Sequence, residues 1–167
     1  MELAFYNAVL TAISTDGRKY TYVNQLASSH VNPAERSEWF RCACCPPNIM
    51  RTLAIIGGYL YSQPASTEAG VKHIAVHLYS SSTLGFTAAD HPSTLTQSTD
   101  WPWSGDVEFK LDTSCKAVSI SLRIPQWASD WSVSHHEART NKCIHCKTLT
   151  CRRSNRHRRP RKSPKDT

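Results

Sequence analysis

At 167 residues the chain has room for one ordinary domain, and its formal charge of +7 is unevenly spread. Residues 1–136 hold nine Lys/Arg and eleven Asp/Glu, whereas residues 137–167 hold eleven Lys/Arg and two Asp/Glu. The basic balance therefore belongs to the C-terminal tail, which excludes reading the whole chain as a nucleic-acid binder from its charge. The longest apolar stretch, Leu53 to Tyr61, contains Gly57 and Gly58 and is too short to span a bilayer, so no membrane partner is expected. Met1 is followed by Glu2 rather than by a basic stretch and a long apolar run, so no secretory signal is visible. Seven cysteines are an odd number, and the neighbours Cys44 and Cys45 are poorly placed to bridge each other. A reducing, cytoplasmic setting with catalytic or metal-binding thiols fits better than a disulfide framework.

In chain order, Leu3, Phe5, Tyr6, Val9, Leu10 and Ile13 give residues 2–14 an apolar face at helical spacing. Asp16-Gly17 predicts a turn, Lys19 to Val23 a short strand, and residues 27–38 a polar loop. Pro46-Pro47 suits the first turn of a helix, and Ile49, Leu53, Ile56 and Leu60 extend it over 47–61. Beyond Pro64 the period changes to two. Ile74, Val76 and Leu78 alternate with polar residues, and so do Val107, Phe109 and Leu111, then Val118, Ile120, Leu122 and Ile124. Thr83 to Thr87 is expected to pair with the strand at 72–78. Helices first and short strands later predict an α+β chain whose second part is a β-sandwich. Residues 135–167 carry almost no large apolar side chains and are expected to be disordered.

The segment Cys42-Ala43-Cys44-Cys45-Pro46-Pro47-Asn48 concentrates the chemistry. A thiolate is a strong nucleophile and a strong zinc ligand, but a free thiol with a pKa near ~8.5 is mostly protonated at neutral pH. A following helix N-terminus favours an anion here, and Arg41 lies beside the cluster in sequence. Buried packing is the alternative use of cysteine. On spacing alone the cluster offers at most three of the four donors that a zinc site usually needs, and neither His30 nor Glu38 is singled out as a fourth.

An ordered series of segments carries a family resemblance. Glu2-Leu3-Ala4-Phe5-Tyr6-Asn7-Ala8-Val9-Leu10, Asp16-Gly17, Tyr20-Thr21-Tyr22-Val23-Asn24 and Trp39-Phe40-Arg41-Cys42-Ala43-Cys44-Cys45-Pro46-Pro47-Asn48-Ile49 resemble glycoside hydrolase family 127, the β-L-arabinofuranosidase-like enzymes. The likeness continues through Gly57-Gly58-Tyr59-Leu60-Tyr61-Ser62, Val76-His77-Leu78-Tyr79, Trp101-Pro102-Trp103-Ser104-Gly105 and Leu122-Arg123-Ile124-Pro125-Gln126-Trp127-Ala128, covering about residues 2–132.

The resemblance implies the last helices of an (α/α)6 barrel over 1–63, a partial β-sandwich over 64–134 and a basic tail over 135–167. It implies cleavage of non-reducing-end β-L-arabinofuranosides with retention, Cys44 being both nucleophile and zinc ligand and Cys45 a second zinc ligand. Glu2 and Tyr22 match positions that contact the sugar. The family's remaining zinc ligands, a glutamate-cysteine pair, and its acid/base glutamate lie upstream of the Glu2 motif. The zinc site is therefore expected to be incomplete in this chain, and the chain by itself is expected to turn over no glycoside. A truncated gene model with a tail read out of frame is the expectation raised by the composition break near residue 134. Asn24-Gln25 stands where the family has Asn-Pro.

Other features point to packing or to non-specific contacts. His73 and His77 share one strand face with a residue between them, which suits packing or solvent better than a metal. Trp101 and Trp103 are expected to fill a core edge rather than stack on sugar. Cys143, Cys146, Cys151, His145 and His157 match no common zinc-knuckle spacing. Arg152 to Lys165 could hold nucleic-acid phosphates, but only non-specifically, because no aromatics are interleaved for base stacking. The alternatives to an enzyme fragment are a basic nucleic-acid-binding protein built on the tail or a non-catalytic remnant.

Overall fold

The computed structural model describes residues 1–23, 25–65, 68–114, 118–138 and 143–153, with 135–138 and 143–153 described by their backbone. Contacts divide the chain into two units, Met1–Tyr59 and Leu60–Thr167. The first is helix and loop, the second is built of small sheets. No described helix is long and apolar enough to cross a membrane.

The first unit opens with a helical segment that is α only over α1 (Glu2–Ala4), then widens to a π stretch at Phe5–Val9 and tightens to a 3₁₀ turn at Leu10–Ala12. Asn7 Nδ2 donates to the Leu3 carbonyl at 2.9 Å and Thr11 Oγ1 to the Asn7 carbonyl at 2.9 Å. Such back-bonding competes with the backbone ladder and accompanies its irregular pitch. The expected turn at Asp16-Gly17 forms with Gly17 at φ 72°, where a side chain would be strained. The strand expected over Lys19–Val23 contracts to Tyr20 alone, which bridges Ile13 on one side and Ser37 on the other. Backbone bonds run both ways between Tyr20 and Ser37, at 3.0 and 2.9 Å. The second helix, α2 (Pro46–Ile55), starts at the proline pair and continues as a 3₁₀ turn over Ile56–Tyr59.

None of the described residues of this unit is buried. Leu3, Trp39 and Met50 remain 62, 74 and 62% exposed. The helical faces at Ile49, Leu53 and Ile56 are half-covered at best.

The second unit begins earlier than residue 64. β1 (Tyr61–Ser62) pairs antiparallel with β2 (Lys72–Val76), and the Leu60 carbonyl accepts the His77 amide at 2.8 Å. These ladder bonds draw residues 60–62 out of the expected helix and into a sheet. β2 also runs parallel to β6 (Val118–Leu122), with Ile74 opposite Ile120.

A five-stranded sheet holds the remaining strands in the order β3 (Ser82–Ala88), β4 (His91–Thr99), β5 (Asp106–Thr113), β8 (Cys143–Arg153), β7 (Ala128–Ala138), all neighbours antiparallel. β3 therefore pairs with β4 rather than with β2. Its tight turn places Ala89 and Asp90 at φ 46° and 63°, the left-handed pair that a two-residue hairpin requires.

Two strand assignments correct the sequence reading. β4 has no apolar alternation to reveal it, because two of its inward positions are Ser93 and Gln97, on either side of Leu95. The Ser93 hydroxyl and the Gln97 amide nitrogen are partnered in the interior, while Gln97 Oε1 is buried without a partner among the described residues. Ser93 Oγ lies 2.8 Å from Thr113 Oγ1, and Gln97 Nε2 donates to the Ser80 carbonyl at 2.7 Å and to the Tyr61 hydroxyl at 3.2 Å. The tail expected to be disordered from residue 135 instead supplies backbone to β7 and β8. β8 is bonded along both edges, by β5 and by β7, so ladder bonds and its β-branched Ile144, Thr148 and Thr150 offset what the charge count suggested. Residues 139–142 and 154–167 lie outside the described residues.

Ile74, Val76, Leu95, Val107, Phe109 and Leu111 form the core, each no more than 3% exposed. Tyr79 is 5.0 Å from the Trp101 ring and 6.3 Å from the Phe109 ring, and its hydroxyl donates to the Arg123 carbonyl. Trp101 also lies against Trp127 at 5.3 Å, as expected for a core edge, whereas Trp103 is 86% exposed. Leu95→Ala is expected to lower the unfolding free energy of this unit by about 2–5 kcal/mol, read from the urea midpoint. Trp103→Ala is expected to change it by less than about 0.5 kcal/mol.

Candidate active site

The first unit brings together the two cysteines and the tyrosine that the sequence singled out. The Tyr20–Ser37 bridge fixes the chain two residues before Tyr22 and three before Phe40. The Tyr22 and Phe40 rings then stack, with centroids 4.0 Å apart and planes inclined by 30°. At its other end the Tyr22 hydroxyl donates to the Cys42 carbonyl at 2.5 Å and lies 3.4 Å from Cys44 Sγ. Cys44 Sγ in turn lies 3.8 Å from Cys45 Sγ. Cys42, Cys44 and Cys45 are all free thiols and exposed.

α2 shapes what can stabilise a thiolate here. Cys45 is its N-cap, and Pro46 and Pro47 occupy the first two helical positions. Neither proline has an amide donor, and the Asn48 amide is taken by the Cys45 carbonyl at 2.9 Å. The helix thus offers its dipole but few free N–H groups to the cluster. Donors to sulfur come from side chains instead.

The three groups split accordingly. Contact with the Tyr22 hydroxyl, and then with the Cys45 thiol, holds Cys44 below the ordinary thiol range. Hydrogen bonding to Cys44 pushes Tyr22 up to about 12. Its own contact with the Cys44 sulfur, followed by the nearby Cys44 charge, pushes Cys45 up. Cys44 is the acidic member of the pair and Cys45 its donor. The phenol carries one proton, so its hydroxyl serves either the Cys42 carbonyl or the Cys44 thiolate at a given moment. Glu2 sits at the start of α1, where its charge adds to burial in raising the Tyr6 hydroxyl.

The donor set fits part of a metal site. Two thiolates on a tetrahedral zinc with Zn–S near ~2.3 Å stand about 3.8 Å apart, and the sulfurs of Cys44 and Cys45 lie 3.8 Å apart. They fit as two of four donors. Among the described residues no group of three or more His, Cys, Asp or Glu side chains is assembled. His73 and His77 are used locally, with Nε2 atoms 2.8 Å from Ser121 Oγ and 2.7 Å from Ser62 Oγ. Of the tail's candidate ligands, Cys143, His145, Cys146 and Cys151 fall in β8 and His157 lies outside the described residues. Sequence reasoning gave Phe40 no role. It stands inside the quoted motif, but nothing in the spacing shows that its ring meets Tyr22.

Comparison with known proteins puts this thiol cluster and the sheet unit that follows it in a class of glycosidase-like hydrolases. Residues 1–58 match the GH127 catalytic domain of β-L-arabinofuranosidases and residues 73–143 match the GH127 middle domain, so the chain belongs to the GH127 family. The middle-domain match runs past residue 134, through β7 and to the first residue of β8.

A non-reducing end β-L-arabinofuranosidase of Bifidobacterium longum subsp. longum is 32% identical over 141 residues, which cover 77% of this chain and 20% of that protein. The solved GH127 β-L-arabinofuranosidase from Geobacillus stearothermophilus T6 superposes with a TM-score of 0.69 at 27% identity, covering 91% of this chain and 27% of that one. A solved glycoside hydrolase gives a TM-score of 0.69 at 31% identity over 90% of this chain and 28% of its own. The chain thus spans about a fifth of the length of the curated relative.

Because Cys44 is held down, its reactive thiolate is present at lower pH than in an ordinary cysteine. The pH profile of iodoacetamide labelling at Cys44, followed by peptide mass spectrometry, is expected to rise through a midpoint below that of a free thiol. In Tyr22→Phe the largest stabilising contact is gone and the midpoint is expected to move up. An unchanged midpoint in that variant would show that the hydroxyl does not act on the sulfur.

Proposed function

We propose that this chain carries the nucleophile-bearing segment of a hydrolase acting on non-reducing-end β-L-arabinofuranosides, with Cys44 as nucleophile and net retention at the anomeric carbon. The observation that supports it is the asymmetry of the thiols. Cys44 alone receives the phenol of Tyr22 and the thiol of Cys45, at 3.4 and 3.8 Å. Membership of the GH127 family supplies the reaction class.

In the first step the Cys44 thiolate attacks the anomeric carbon, the S–C bond forms and the glycosidic C–O bond breaks. The leaving oxygen takes its proton from a general acid, which the family resemblance places upstream of the segment matched here. In the second step water attacks the same carbon, gives up a proton to the conjugate base, and the electron pair of the C–S bond returns to Cys44. Two inversions give retention. Cys45 and the Tyr22 hydroxyl hold the sulfur's negative charge as it departs and returns. Glu2 and Tyr22 would contact the sugar.

Cys44 and Cys45 would hold a zinc ion as two of its donors, and the bound ion would supply deprotonation of the thiols at neutral pH. The Tyr22 contact acts in the same direction without it.

An L-arabinofuranose-configured epoxide incubated with the chain is expected to label Cys44 ahead of Cys42 and Cys45, with excess L-arabinose slowing the reaction. In a whole GH127 catalytic domain carrying this segment, Cys44→Ser is expected to cut release of aryl aglycone from a β-L-arabinofuranoside by at least roughly a thousandfold. Equal labelling of the three thiols, or full turnover in the serine variant, would overturn the assignment.

A further inference from the structure

The Tyr22 hydroxyl serves Cys44 only while the ring stays where it is, and little holds the ring. Residues 21–23 belong to no helix or strand, and the nearest backbone anchors are the Tyr20 bridge and the Thr21 amide, which donates to the Ala12 carbonyl at 2.8 Å. No residue of this unit is buried among those described, and Tyr22 itself is only half-buried. Besides Cys44 Sγ at 3.4 Å, two groups hold it. The Cys42 carbonyl takes the hydroxyl, and the Phe40 ring lies against the aromatic face at 4.0 Å. Phe40 and Cys42 are two residues apart on the same loop, so ring and hydroxyl are gripped by one short segment at both ends.

We infer that Phe40 is a positioning residue for the thiol pair, its ring holding the Tyr22 hydroxyl between the Cys42 carbonyl and Cys44 and so selecting Cys44 over Cys45 as the reactive sulfur. This deepens the reading of Cys44 as nucleophile and rests on it. The physical basis is directional. A hydroxyl contact to sulfur at 3.4 Å is already at the long end of useful hydrogen bonds, so a small swing of the ring ends it. Inclined aromatic pairs with centroids in this range attract each other beyond their buried area, and an aromatic replacement keeps that attraction whereas an aliphatic one does not. Once the hydroxyl swings away, Cys44 and Cys45 differ only in their place relative to α2.

The test is thiol selectivity at one fixed pH. The full chain is treated with a limiting amount of iodoacetamide, and the Cys44 to Cys45 labelling ratio is read by fragment-ion mass spectrometry. Wild type is expected to favour Cys44. Phe40→Leu is expected to reduce the ratio about threefold to tenfold, close to the value in Tyr22→Phe. Phe40→Tyr is expected to restore it. Circular dichroism accompanies each variant, and a chain of Phe40→Leu with altered helix content is replaced by Phe40→Met, for which the same loss is expected. If wild type shows no preference for Cys44, the reading of Cys44 as the nucleophile fails. If wild type and Phe40→Leu share the preference that Tyr22→Phe loses, the nucleophile stands and the role of Phe40 is overturned.

Discussion

One phenol hydroxyl organises the chemistry of the first unit. It joins the irregular segment after Tyr20 to the cysteine loop before α2, through the Cys42 carbonyl at 2.5 Å and Cys44 Sγ at 3.4 Å. Remove that link and the pair of adjacent thiols becomes nearly symmetrical. With it, one sulfur is made acidic and its neighbour is made the donor. The proline pair adds to the effect by what it withholds. A helix starting at Pro46-Pro47 cannot give those two amides to an anion, so the burden falls on side chains.

The two units differ in how they are held. The sheet unit has an apolar interior in which Ile74, Leu95 and Val107 are wholly covered and the Gln97 amide nitrogen, though not its oxygen, finds partners among the described residues. The helical unit has no buried residue among those described, and Leu3, Trp39 and Met50 face solvent. Its order comes from local bonds, namely the Asp16 turn, the Tyr20–Ser37 bridge and the Tyr22 contacts, rather than from apolar burial. A thiol in such a place is accessible, and its geometry depends on few interactions. The catalytic-domain match covers only residues 1–58, and the curated relative is about five times as long as the matched region.

Much of this was legible in the residues themselves. The proline pair announced α2, the alternation at Val107, Phe109 and Leu111 announced β5, and Cys44 with Cys45 announced the site. The sequence failed where its signals were indirect. β4 hides because Ser93 and Gln97 fill inward positions that only their partners, Thr113, Ser80 and Tyr61, make tolerable. β8 hides because a central strand is stabilised by bonds to both neighbours, and composition does not report neighbours. The parallel pairing of β2 with β6 joins residues more than forty positions apart, which no local pattern encodes.

The sequence alone therefore determined the chemical types and their order: three thiols, a proline-started helix, an aromatic upstream, and strands to follow. Periodicity and motif spacing are properties of neighbours along the chain, and they survive in any string of letters. What tertiary structure decided is which thiol meets the phenol. Tyr22 and Cys44 are 22 residues apart, and only the folding back of residues 20–40 brings phenol to sulfur and Phe40 to phenol. A hydrogen bond requires its atoms within about 3.5 Å and in line, and such closeness between distant residues is settled in space and not along the chain.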